Sequence, residues 1–89
     1  MNKADKSRML YLLDNHYSYY MNYINAGDIE NATKQFTYYS GVKTGYENLL
    51  LFAHEYIQLN SDGTHCIVQY PYDFNVNAKR ENNMKKQVL

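Results

Sequence analysis

The sequence predicts a mainly α-helical fold with minor β: an antiparallel helical hairpin, its second arm long and kinked or broken near Gly41-Gly45, then a short β element and a polar tail. Three observations lead there. Two stretches carry apolar residues three and four apart, the period that lines one face of an α-helix. A Gly-Asp pair sits between them, and a four-residue turn signal precedes a β-prone run that ends at Pro71.

In the first stretch Leu10, Leu13, Tyr17, Tyr20 and Ile24 alternate in steps of three and four, while Asp14, Asn15, Ser18, Asn22 and Asn25 fill the other side. This is an amphipathic helix. Ala26-Gly27-Asp28 then punctuates the chain: Gly27 suits the left-handed conformation that ends a helix, and Asp28 suits the cap that opens the next one. The second stretch places Ile29, Ala32, Phe36, Tyr39, Lys43, Tyr46, Leu50, Ala53 and Ile57 on one stripe, broken only by Lys43. Straight, residues 29–59 would run about 46 Å, whereas a compact chain of this size has a radius of gyration of about 12 Å. A rod of that length overhangs its hairpin. The expected relief is a break at Ser40-Gly41 or Gly45, where each glycine weakens the helix by about 1 kcal/mol relative to alanine.

Residues 49–53, Leu-Leu-Leu-Phe-Ala, are apolar on every side and require cover beyond the first helix. Asn60-Ser61-Asp62-Gly63 is a turn signal, and residues 64–70 form the β-prone run. One strand needs a ladder partner. Residues 55–59, residues 72–76, a second copy of the chain and another protein all qualify, and the turn residues do not choose among them.

The whole chain has 89 residues, nine Lys plus Arg, nine Asp plus Glu, eleven Tyr, one Cys and no Trp. Residues 1–76 read as a single small helical domain and residues 77–89 as a basic, frayed tail. A chain this short hides only about two-thirds of its unfolded surface, which favours a partner or a homodimer. Zero net charge argues against a general polyanion binder, whose affinity comes from excess cations. The charge is unevenly placed, however: residues 9–75 hold two lysines against seven acids, and both ends are basic. The lone Cys66 fits a reducing compartment, and no stretch resembles a secretory or membrane-spanning segment. A cytoplasmic location is expected.

No catalytic constellation emerges. His54-Glu55 opens like a helical zinc-protease motif, but Gln58 stands where the second histidine is required. His16, His54, His65 and Cys66 lack metal-ligand spacing, so no metal or other cofactor is expected. His65 and Cys66 are neighbours on a strand and point to opposite faces, which prevents one from activating the other. Residues 40–45 lack the strand and the glycine before lysine that a phosphate loop needs.

What stands apart is a set of aromatic residues off the two core stripes: Tyr11 and Tyr19, Tyr38 and Phe52, and the cluster Tyr70, Tyr72, Asp73 and Phe74. Tyr38, Gly45 and Phe52 are seven apart and share a second helix face. Rigid aromatic area of this kind anchors protein interfaces. The expectation is a non-enzymatic protein-binding module that occludes a host or cognate protein through an acidic, tyrosine-rich surface. In size and lack of catalytic equipment the chain resembles the small accessory proteins of phages and mobile elements, many of which block a host protein; an anti-CRISPR or other anti-defence inhibitor is one form this implies. The alternative expectation is a nucleotide or nucleic-acid binder, such as a signalling-nucleotide sponge, in which tyrosines stack bases and Lys79, Arg80, Lys85 and Lys86 meet phosphate.

Overall fold

The computed structural model describes residues 1–71. The expected domain boundary at residues 76–77, together with Tyr72, Asp73, Phe74, Lys79, Arg80, Lys85 and Lys86, lies outside them. Helix α1 (Lys3–Asn25) and helix α2 (Ile29–Leu50) form the hairpin; a 3-10 turn (Leu51–Ala53) leads into strand β1 (Glu55–Leu59), which pairs with strand β2 (His65–Gln69). The fold is mainly helical with a minor two-stranded antiparallel sheet.

Each boundary has a local cause. Helix α1 begins ahead of its periodic stretch because the Asn2 side chain accepts from the Asp5 N–H at 2.8 Å, satisfying one of the exposed donors of the first turn. It ends where Gly27 takes φ 74° and the Asp28 N–H reaches back to the Tyr23 carbonyl at 2.9 Å. That bond spans five residues and closes a left-handed cap. Asp28 then caps α2 by accepting from the Asn31 N–H. Hydrogen bonds from the Asn31 side chain and backbone hold the Asp28 carboxyl below its usual range.

Helix α2 passes without interruption through Gly41 and Gly45. The chain leaves the helix at Leu50 instead, and residues 55–59 are strand, not the continuation of a rod. His54 makes the corner with φ 58°, a conformation uncommon for residues with a Cβ but one in which His is enriched. His54 is therefore a partly buried turn residue. Two exposed helical glycines cost about 2 kcal/mol together, less than the burial gained by keeping Tyr39, Tyr46 and Leu50 on one stripe.

Of the four partners open to the second strand, the chain uses its own residues 55–59, in the register Glu55 to Gln69, Ile57 to Ile67 and Leu59 to His65. Gly63 turns at φ 88°, and Asp62 accepts from both the backbone N–H and the hydroxyl of Thr64. An isolated two-stranded ribbon is marginal in water. This one is held against the helices by a core of Leu13, Tyr39, Leu50 and Ile57, with Tyr17, Val42, Tyr46 and Ile67 around it. Polar ties add to the packing: Lys6 of α1 meets Glu55 at 2.8 Å, and Glu47 of α2 accepts from the Ile57 N–H at 3.2 Å while pairing with Lys43.

The periodic stripes hold over most of their length. Ile29 and Phe36, read as core, are exposed, because the sheet and α1 cover α2 only along one side and the stripe is wider than that cover. Among the described residues no helix is long and apolar enough to cross a membrane.

Candidate functional site

Three residues make a polar chain between helices and sheet, with Tyr39 and His65 buried and Asp14 part-exposed. Asp14, on the sheet side of α1, places one carboxylate oxygen 2.7 Å from the His65 backbone N–H and 2.8 Å from His65 Nδ1. On the other side of the ring, Nε2 meets the Tyr39 hydroxyl at 2.5 Å. A carboxylate only accepts, so Nδ1 carries the proton and, in the neutral ring, Nε2 accepts from the phenol. Tyr17 packs edge-on to the imidazole with ring centroids 5.9 Å apart.

The order Asp–His–hydroxyl has the outline of a nucleophilic relay, with the hydroxyl on a buried ring. The Tyr39 ring is buried, and burial, with the nearby Tyr17, Glu47 and Asp14, pushes its phenol up from 10 to about 12. The chain of bonds ties β2 to both helices. Because the folded pKa exceeds the unfolded one, the protonated phenol stabilises the fold fully below pH 10, and this contribution is lost as pH rises towards about 12. In an alkaline absorbance titration a tyrosinate wave is expected near pH 12 and is expected to vanish from the curve of Tyr39→Phe. A single wave near pH 10 for every ring would refute the assignment.

The other histidines and the cysteine stand apart. His16 Nδ1 meets Gln35 Nε2 at 3.1 Å, and Cys66 Sγ lies 3.4 Å from Asn60 Oδ1. Among the described residues no group of three His, Cys, Asp or Glu is placed to hold a metal ion.

The aromatic residues expected at an interface divide into groups. Tyr11, Tyr19, Tyr38 and Phe52 are all exposed, Phe52 at 91%. Tyr70 is half-buried and lies against Tyr56 with centroids 4.7 Å apart. Its backbone N–H donates to the His54 carbonyl at 2.8 Å, so it closes the hairpin base. Tyr38 rests on His16 of α1 at 4.8 Å between centroids, and Tyr19 stands one turn beyond His16. Tyr11 lies further round α1.

On α2, Tyr38, Gly41, Gly45 and Leu49 follow one another at helical spacing, and Phe52 continues the row into the 3-10 turn. From residue 38 to residue 52 this row carries no charge, and it stops at the Glu30–Lys34 pair. Among the described residues, a Cβ added at Gly41 or Gly45 would meet nothing within 4 Å, and neither glycine is needed for packing there. Leu49 and the openness of both glycines were missing from the sequence-based site; the seven-residue spacing of Tyr38, Gly45 and Phe52 was the available signal. Comparison with protein-family models, curated proteins and solved structures finds no match to this chain.

Proposed function

We propose that the protein is a non-enzymatic protein-binding module that occludes its partner through the outer face of α2. The observation that carries this reading is the uncharged row Tyr38, Gly41, Gly45, Leu49 and Phe52. Tyr38, Leu49 and Phe52 are more than half exposed there, around two glycines that pack against no other described residue. Exposed glycines in a helix interior cost about 1 kcal/mol each, and a backbone left bare of side chains lets another helix approach closely. The rings on either side supply rigid contact area at low entropic cost. An apolar helix or groove of a host protein fits this face, and an inhibitor of the kind carried by phages is the form of occlusion we favour. Tyr19 and Tyr11 on α1 extend the surface.

The glycines provide the test. Gly45→Ala is expected to raise stability by about 1 kcal/mol, because the added methyl enters open space on a helix. Gly45→Arg keeps the fold and blocks close approach. Immobilised wild-type protein is expected to retain a protein from its native cell extract that Gly45→Arg and Tyr38→Ala release, with circular dichroism showing intact helices in both. Equal retention by wild type and variants, or none by any, overturns the proposal. A concentration-dependent dimer abolished by Gly45→Arg would replace the host partner by a second copy.

A further inference from the structure

A cleft on another side of α2 has a different chemistry. It measures about 310 Å³ and is bounded by Tyr17 and Tyr20 of α1, Phe36, Tyr39, Ser40 and Lys43 of α2, and Leu59 at the end of β1. Its four rings form a closed circuit: Tyr17–Tyr20 at 5.7 Å, Tyr20–Phe36 at 5.1 Å, Phe36–Tyr39 at 5.9 Å and Tyr39–Tyr17 at 5.5 Å between centroids. Two of these rings are fixed from behind. Tyr39 is bonded to His65, and Tyr17 packs against the same imidazole. The aromatic floor is therefore set before any ligand arrives, which removes part of the ordering cost of binding.

The volume is at the lower end of the range for small-molecule sites. Among the described residues Lys43 is the one charged side chain on the wall. Its partner Glu47 lies one turn further along α2 and is also engaged by the Ile57 N–H. A cationic ligand would meet Lys43 head-on, and a bare anion would use Lys43 and Ser40 but leave the aromatic floor unused. A flat ring bearing an anionic group uses both features: π-faces for the ring, and Lys43 with the Ser40 hydroxyl for the anion.

We infer that the cleft between α1, α2 and the β-hairpin tip is a binding site for a planar heteroaromatic anion of the size of a nucleoside monophosphate, its ring stacked on Tyr20 and packed against the tilted Tyr17 and Phe36, with its phosphate at Lys43. The site stands on geometry separate from the docking row, so either can fail alone.

The probes are adenosine monophosphate, adenosine and inorganic phosphate, followed by isothermal titration at low salt and by the ring-proton resonances of Tyr17 and Tyr20. The monophosphate is expected to bind about tenfold or more tightly than adenosine or phosphate, with both tyrosines shifted. Tyr20→Ala weakens it roughly ten- to a hundred-fold, the range for loss of one stacking ring. Lys43→Met reduces the monophosphate to the affinity of adenosine and removes the salt dependence, while Lys43→Arg restores both. These side chains are partly exposed, and circular dichroism checks that each variant folds. No binding by the monophosphate at millimolar concentration, or binding unchanged by Tyr20→Ala and Lys43→Met, overturns the inference.

Discussion

Asp14→Ala lowers the stability of the protein by about 3 kcal/mol in urea denaturation, a large share of what a domain this small possesses. The Asp14 carboxylate is the sole acceptor given to two donors of His65, its backbone N–H and Nδ1–H. The histidine side chain is 0% exposed and that of Asp14 33%, so water can reach the lost oxygen's place only from the Asp14 side. A buried donor without a partner costs about 1–3 kcal/mol, and the substitution creates two. Asp14→Asn retains an oxygen and loses the charge, so its cost falls near 1 kcal/mol, the typical net worth of one hydrogen bond. The effect also propagates. Without Asp14 the ring is free to turn, and the bond to Tyr39 loses its fixed geometry. A double-mutant cycle of Asp14→Ala with Tyr39→Phe should therefore show coupling of about 0.5–3 kcal/mol although the two side chains do not touch. Additive costs, or a loss below 1 kcal/mol for Asp14→Ala, would mean that packing alone holds the sheet to the helices.

Much of this fold is written in spacing. The three-four rhythm of Leu10 to Ile24 and of Ala32 to Leu50 identifies both helices, and Gly27-Asp28 and Asn60 to Gly63 behave as local chemistry requires. The end of α2 was not legible for a physical reason. Ile57 is buried whether residues 55–59 continue the helix or form a strand, so the stripe gives no warning of the change. The corner falls on His54 and not on either helical glycine, because a positive φ is affordable at a histidine when the following strand finds a partner. His65 was similarly hidden. A histidine in a strand reads as a polar surface residue until an acceptor from a helix fifty-one positions away is brought against it. Lys43 looked like a flaw in an apolar stripe, yet the fold sets it on the wall of an aromatic cleft.

Leu49 and Leu50 are adjacent, chemically identical and opposite in fate, which makes them the sharpest test of how fold and function divide on α2. Leu50 is 1% exposed and sits in the core with Leu13, Tyr39 and Ile57. Leu50→Ala is expected to cost about 3–4 kcal/mol, the transfer loss plus a cavity that the helix and sheet around it fill only in part. Leu49 is 56% exposed on the docking row. Leu49→Ala should leave stability within about 0.5 kcal/mol of wild type, as surface substitutions do, and should weaken partner capture as Tyr38→Ala does. The apolar run 49–53 demanded cover on every side; the hairpin covers Leu50 and leaves Leu49, Leu51 and Phe52 open. That uncovered surface is what the proposed partner would bury. If Leu49→Ala instead unfolds the protein as readily as Leu50→Ala, the outer face of α2 is already occupied within the chain, and a docking role for it cannot stand.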